Sequence, residues 1–223
     1  MTSRESHHIG LFGGTFDPVH EGHLALAGQV LHRCGLDRLL ILPALAPPHK
    51  RQPEASFTDR AAMLKAALAD CPDRERIELS LIEGELPAPS YTINTVHALM
   101  ARHGRHRYYL VLGADMLLDL PHWHRAGELL ALVSLIAVSR DNLDDAEFLR
   151  TLARLDPTLT LDPASGHWVG RGGNTVTYLR DLRLPVSSST IRGELRGGRI
   201  PAMLPPTVLA YIQQHLLYGW SPV

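Results

Sequence analysis

Short apolar runs alternate with amphipathic stretches of helical period along most of the chain, and this alternation restricts its fold more than any other feature. His8 to Phe12 reads as a short buried strand, a Gly-rich turn leads into helical spacing from about Gly22 to Arg33, and Arg38 to Leu42 is a second strand. Together they make one βαβ unit. Pro43, Pro47, Pro48 and Pro53 predict a long irregular loop over Pro43 to Phe57. Thr58 to Asp70 is expected to be a helix, with Thr58 as N-cap and Met63, Leu64, Ala67 and Leu68 on one face. A third strand follows over Arg76 to Leu81, then a helix over Ser90 to Arg102. Tyr108 to Leu112 is a continuous apolar run ending at Gly113, the pattern of a central parallel strand. Helices are expected around Arg125 to Leu132 and Asp144 to Arg154, with a strand from Leu135 to Val138 between them. Leu155 to Thr175 has no readable period, and Gly170-Arg171-Gly172-Gly173 within it is expected to be a flexible loop. Val176 to Leu179 reads as the last strand. Ser188 to Arg196 is a short helix stopped by Gly197 and Gly198, and Pro205 to Leu216 closes the chain as a helix with prolines at its start.

Strands alternating with helices imply a Rossmann-like, doubly wound parallel sheet with helices on both faces and right-handed crossovers. With no internal repeat or linker, residues 1–223 are expected to form a single domain, a C-terminal helical part at about 186–217 packing on the same core. At 223 residues the chain can bury its own core without disulfide or metal staples. Cys34 and Cys71 form no CxxC pair and read as small buried residues. The 22 basic and 23 acidic residues give a net charge of -1, which argues against nucleic acid or an anionic membrane as partner. Met1 to His8 is polar, so no secretory leader is expected. Leu129 to Val138 falls short of the roughly 20 apolar residues that cross a bilayer, and a cytoplasmic protein is expected. Thirteen histidines are many for this length, and their placement decides what they mean.

Ligands of open α/β sheets bind beyond the carboxyl ends of the strands, so the segments after Phe12, Leu42, Leu112 and Leu179 are where function is sought. The first reads Gly13-Gly14-Thr15-Phe16-Asp17-Pro18-Val19-His20-Glu21-Gly22-His23. Two glycines let backbone approach a ligand, and the following helix offers free N–H groups to an anion. His20 and His23, three apart, fall on one side of the first turn and could donate to phosphate oxygens. A tight βα turn with two solvated histidines fits the same residues, and a zinc site lacks HExxH spacing or a nearby Cys. No GxxxxGK[ST] or GxGxxG fingerprint is present. His49 and Lys50 are either a solvated loop or a basic pair able to close on phosphate. Ser187 to Ser189 with Arg192 one turn on reads as an N-cap with a surface Arg or as a second anion site. Asp115 could be a helix N-cap for Met116 to Leu120, and Trp123 a packing residue. His122 and His124 lack a third ligand for a metal.

Taken together, Gly13-Gly14-Thr15-Phe16-Asp17-Pro18 with His20-x-Gly22-His23, Pro47-Pro48-His49-Lys50, Ser90-Tyr91-Thr92, Gly113-Ala114-Asp115, Trp123 and Val186-Ser187-Ser188-Ser189-Thr190-Ile191-Arg192 resemble, in order, the HxGH nucleotidylyltransferases. They resemble in particular the bacterial nicotinate-nucleotide adenylyltransferases. Val186 and Ser189 depart from the family's usual ISSTxIR but keep a branched apolar residue and a hydroxyl. The resemblance implies a nucleotidylyltransferase-type fold and transfer of AMP from ATP to nicotinate mononucleotide, with Mg²⁺ accompanying the triphosphate and no protein metal site. It implies His20, His23 and Arg192 as catalytic groups. Gly13, Gly14, Thr15, Phe16, His49, Lys50, Gly113, Asp115, Ser187, Ser188 and Ser189 would bind ATP, Asp115 through a ribose. Tyr91, Thr92, Trp123 and His124 would receive the pyridine ring and its carboxylate. A nicotinamide-mononucleotide or phosphopantetheine adenylyltransferase, a cytidylyltransferase, and a non-catalytic nucleotide-binding module remain alternatives.

Overall fold

The computed structural model describes residues 6–47, 52–104, 106–139, 144–182 and 186–221. In chain order the elements are β1 (His8–Gly14), α1 (Glu21–Arg33), β2 (Arg38–Pro43), α2 (Phe57–Ala69), β3 (Ile77–Leu79), α3 (Thr92–His103), β4 (Arg107–Gly113), α4 (Ala114–Asp119), α5 (Ala126–Leu132), β5 (Val133–Val138), α6 (Asp145–Leu155), β6 (Thr160–Leu161), β7 (Trp168–Val169), β8 (Thr175–Leu179), α7 (Ser188–Arg196) and α8 (Pro206–His215). The expected alternation is present, as a doubly wound, mostly parallel α/β arrangement of eight strands flanked by helices. The chain divides into two compact units, one of residues 1–12 and 91–183, the other of residues 13–90 and 184–223.

In the first unit β4 is central. It pairs in parallel with β1, Ile9 opposite Tyr108, and with β5, Leu110 opposite Leu135. Ile136, Ala137 and Val138 of β5 are buried, as the continuous apolar run demands when both faces of a parallel strand are covered. β5 pairs in parallel with β8. Beyond β8 the direction reverses: β7 runs antiparallel to β8 and β6 antiparallel to β7. These two-residue strands went unread in the sequence because so short a run shows no period. Gly170-Arg171-Gly172-Gly173 is the tight turn joining β7 to β8, closed by hydrogen bonds from Gly170 N–H to the Asn174 carbonyl and from Gly173 N–H to the Gly170 carbonyl. Phe148 of α6, fully buried, stacks on Tyr178 at 4.3 Å.

In the second unit β2 and β3 pair in parallel, Leu39 opposite Ile77, and α1, α2 and α8 supply the apolar faces. Two local expectations are corrected. The N-cap of α2 is Ser56, not Thr58. Its Oγ accepts the Asp59 N–H at 3.1 Å, and Asp59 accepts the Ser56 hydroxyl at 2.6 Å, satisfying the first turn two residues earlier. The N-cap of α4 is Gly113, with Asp115 exposed in the first turn. Pro205 and Pro206 do stand at the start of α8, where a missing N–H costs nothing. Tyr211 of α8 donates its hydroxyl to Asp59 at 3.0 Å, tying α8 to α2.

Ser56→Ala is expected to cost about 1 kcal/mol of unfolding free energy in urea, against under about 0.5 kcal/mol for Thr58→Ala; equal losses would return the cap to Thr58. The Ser56 hydroxyl, with help from Tyr211, holds the Asp59 carboxyl below its usual range despite partial burial. A carboxyl depressed in the folded state stabilises fully above its unfolded pKa and loses that contribution as pH falls through the folded one. The stability gap between the wild type and Asp59→Asn should therefore be full above about pH 5 and narrow as pH falls below the ordinary carboxyl range of about 4.

Candidate functional site

The turn after β1 is shaped by steric exclusion and then by buried charge. Phe16 adopts φ 52, and its ring lies so close under Gly14 that a Cβ there would meet Cζ at 2.9 Å. Only glycine permits that packing. A Cβ on Gly13 would instead meet open space, leaving its backbone accessible. Phe16 is 2% exposed, so its side chain supports the turn from beneath.

Asp17, 4% exposed, accepts the backbone N–H groups of Glu54 at 2.8 Å and Ala55 at 3.0 Å and the Tyr218 hydroxyl at 2.8 Å. Arg60 of α2, 1% exposed, donates to the carbonyls of Thr15 at 2.7 Å, Ala44 at 2.8 Å and Ala55 at 3.3 Å. Burial pushes the Arg60 guanidinium down while the Asp17 charge pushes it back up, so the two ions support each other inside the fold. Tyr218 sits in left-handed backbone at φ 57, and burial together with Asp17 drives its phenol far up, so it stays a donor. Sequence reasoning missed Arg60, Glu54 and Tyr218. Arg60 left a signal: it occupies the same helical face as Met63, Leu64 and Ala67, and a cation on an apolar stripe calls for a buried partner.

Where α1 begins, His20 is the N-cap and His23 the third helical residue. Their rings stack at 3.7 Å with an interplanar angle of 24°, and Phe16 meets His23 edge-on at 5.0 Å. The His20 backbone N–H donates to His23 Nδ1 at 3.3 Å. A nitrogen that accepts carries no proton, so the N–H of that neutral ring is on Nε2. A Cβ on Gly22 would meet Val186 Cγ1 at 3.0 Å and His20 Nδ1 at 3.1 Å, which explains the glycine between the histidines. The start of α7 is attached to the same turn. The Ser188 hydroxyl donates to the Pro18 carbonyl at 2.9 Å, and Ser187 caps α7 by accepting the Thr190 N–H at 3.2 Å. Arg192 donates from Nη1 to the Asp17 carbonyl at 2.6 Å, from Nε to Glu54 Oε1 at 2.9 Å and from Nη2 to the Ser189 hydroxyl at 3.4 Å. Gly13, Gly14, Thr15, His20, His23, Ser187, Ser188, Ser189 and Arg192 thus share the second unit. His49 and Lys50 lie outside the described residues.

The first unit holds the remaining candidates. Gly113 ends β4 and caps α4, with Asp115 in its first turn. Tyr91 is the N-cap of α3, Thr92 its first residue, and the His124 ring stacks on Tyr91 at 4.3 Å with an interplanar angle of 26°. Trp123, half-buried, follows the 3-10 turn Leu120–His122, and its buried indole N–H has no hydrogen-bond acceptor among the described residues.

Arg60→Met would keep the bulk of the side chain while removing the counter-charge of Asp17 and the donors to three carbonyls. It is expected to cost about 3–5 kcal/mol, whereas Lys65→Met on the exposed side of α2 should stay within about 0.5 kcal/mol. Comparable thermal shifts for the two would deny Arg60 its role.

A family model described as cytidylyltransferase-like matches residues 11–194. A probable nicotinate-nucleotide adenylyltransferase of Synechococcus sp. (strain JA-3-3Ab) is 40% identical over 94% of this chain and 94% of its own length. One from Pelobacter propionicus is 36% identical over 96% of this chain and 99% of its own. In three dimensions the chain is similar to Plasmodium falciparum nicotinic acid mononucleotide adenylyltransferase complexed with NaAD, at TM-score 0.72 and 18% identity over 96% of this chain and 98% of that one, a likeness of fold. Matched by the family model through all but its ends, and by these relatives over nearly their whole length, the chain belongs to the nicotinate-nucleotide adenylyltransferase family of cytidylyltransferase-like nucleotidylyltransferases.

Proposed function

We propose that the protein transfers AMP from ATP to nicotinate mononucleotide, giving deamido-NAD and pyrophosphate, in NAD biosynthesis in the cytoplasm. The observation that carries this reading is the His20–His23 pair stacked at the start of α1, with the start of α7 attached to the same turn. Near-complete coverage by relatives of that name, and the NaAD bound to the Plasmodium falciparum neighbour, support it. We take both units as one nucleotidylyltransferase domain, a reading supported by relatives that match the chain over nearly its whole length.

A phosphate oxygen of the mononucleotide attacks the α-phosphorus of ATP. The new P–O–P bridge forms as the α–β bond breaks and pyrophosphate takes the electron pair. A phosphate monoester has its second pKa near about 6, so the nucleophile is largely ionised at neutral pH and needs no general base. The work left to the protein is alignment of two anions and neutralisation of charge moving onto the leaving group. His23, whose N–H is on Nε2, donates to the reacting phosphate, and His20 holds the triphosphate beside it. The backbone of Gly13, Gly14, Thr15 and Phe16 and the hydroxyls of Ser187, Ser188 and Ser189 supply further donors. Arg192 contributes positive charge. His49 and Lys50 supply further positive charge for the triphosphate. Gly113 and Asp115 receive the adenosine ribose. Trp123 stacks on the pyridine ring, and Tyr91, Thr92 and His124 take the carboxylate side.

Transfer from ATP implies a divalent metal. Mg²⁺ enters as part of the nucleotide substrate.

Turnover with ATP should favour nicotinate over nicotinamide mononucleotide, and equal kcat/KM for the two would remove carboxylate recognition from the proposal. His23→Ala is expected to lower kcat by roughly two or more orders of magnitude with an unchanged melting temperature. Full activity in that variant would exclude His23 from the chemistry.

A further inference from the structure

We propose that Glu54 is a built-in counter-anion that occupies the Arg192 guanidinium in place of a nucleotide phosphate and so limits how tightly the site holds pyrophosphate. The proposal rests on the reading of Arg192 as a phosphate-facing group. Arg192 and Arg196 lie four residues apart on α7, one above the other on the same side. Glu54 bridges them: Oε1 accepts from Arg192 Nε at 2.9 Å, and Oε2 accepts from Arg196 Nη2. The hydrogen bond from Arg196, with the charge of Arg192 added, holds the Glu54 carboxyl below its usual range, so it is ionised at neutral pH.

Two features separate this arrangement from an ordinary surface ion pair. The position of Glu54 is set by its backbone, whose N–H is bound to Asp17 at 2.8 Å, so the side-chain charge can be removed without releasing the loop. The Arg192 side chain is 19% exposed and stays held by the Asp17 carbonyl, whereas the Glu54 side chain is 41% exposed. The acid is the partner able to swing into solvent. A phosphate can therefore replace it on a guanidinium that is already placed, at little cost in rearrangement. Three guanidiniums, Arg60, Arg192 and Arg196, stand against the carboxylates of Asp17, Glu54 and Glu83, the last acting on Arg60. Without Glu54 a multiply charged leaving group would meet one more unopposed cation and depart more slowly.

The test is calorimetric titration of inorganic pyrophosphate into full-length wild type, Glu54→Gln and Glu54→Ala. Both variants keep the backbone anchor. Each is expected to bind pyrophosphate roughly three- to tenfold more tightly than wild type at low ionic strength, the scale of one partly screened charge. The gain should shrink in about 0.5 M KCl. A residue that only braced α7 would do the opposite, loosening the site and weakening binding. Unchanged or weaker binding in either variant with a wild-type melting temperature overturns the proposal. Wild-type turnover of ATP and nicotinate mononucleotide is measured separately. Tighter pyrophosphate binding in the variants with no wild-type turnover would remove the proposed reaction and leave the role of Glu54 standing.

Discussion

The turn from Gly13 to His20 is held in place by two ions that have left water, the Asp17 carboxylate and the Arg60 guanidinium. Each would cost several kcal/mol if buried alone. The protein offsets that cost by making each the centre of directional hydrogen bonds, Asp17 to the amides of Glu54 and Ala55 and to Tyr218, Arg60 to the carbonyls of Thr15, Ala44 and Ala55. Because these partners come from three distant stretches of chain, the turn cannot shift without breaking several bonds together. Phe16 beneath Gly14 and the stacked His20–His23 pair inherit this rigidity.

Rigidity is what the chemistry asks for. Adenylyl transfer needs little covalent help from side chains, but it needs donors whose positions do not relax as charge moves. His23 is oriented by the His20 backbone N–H, and Gly22 leaves room for the His20 ring against Val186. The start of α7 is fixed to the same turn through Ser188 and Arg192. Arg192 is thereby committed on three sides before any ligand arrives, two of them neutral oxygens and one a carboxylate. Glu54 is the carboxylate hydrogen-bonded to it, with Asp17 Oδ2 farther off at 3.8 Å, and that makes its availability a matter of competition between anions.

Much of this was legible in the residue order. Strand and helix periods placed the main elements, because apolar residues facing a core must repeat at the spacing of the element that carries them. Boundaries were less certain: Ser56 and Thr58 both suit an N-cap in isolation, and which one starts the helix depends on where the incoming chain turns. The residues of β6 and β7 have no pattern of their own and become strands only by pairing beside β8. Arg60 could have been suspected from its apolar helical face. Tyr218 could not, since nothing near it marks a residue bound to a carboxylate two hundred positions earlier.

By itself, the sequence determined the α/β class, the glycine-rich turn, the histidine spacing and the family resemblance, because local sterics, periodicity and short motifs are properties of neighbouring residues. Only the tertiary structure decided which side chains brace that turn, that Phe16 lies beneath it, that His124 stacks on Tyr91, and that Glu54 rather than solvent faces Arg192. Hydrogen bonds and ion pairs between distant segments depend on distances that exist only once the chain has folded, and burial then gives those few contacts their strength.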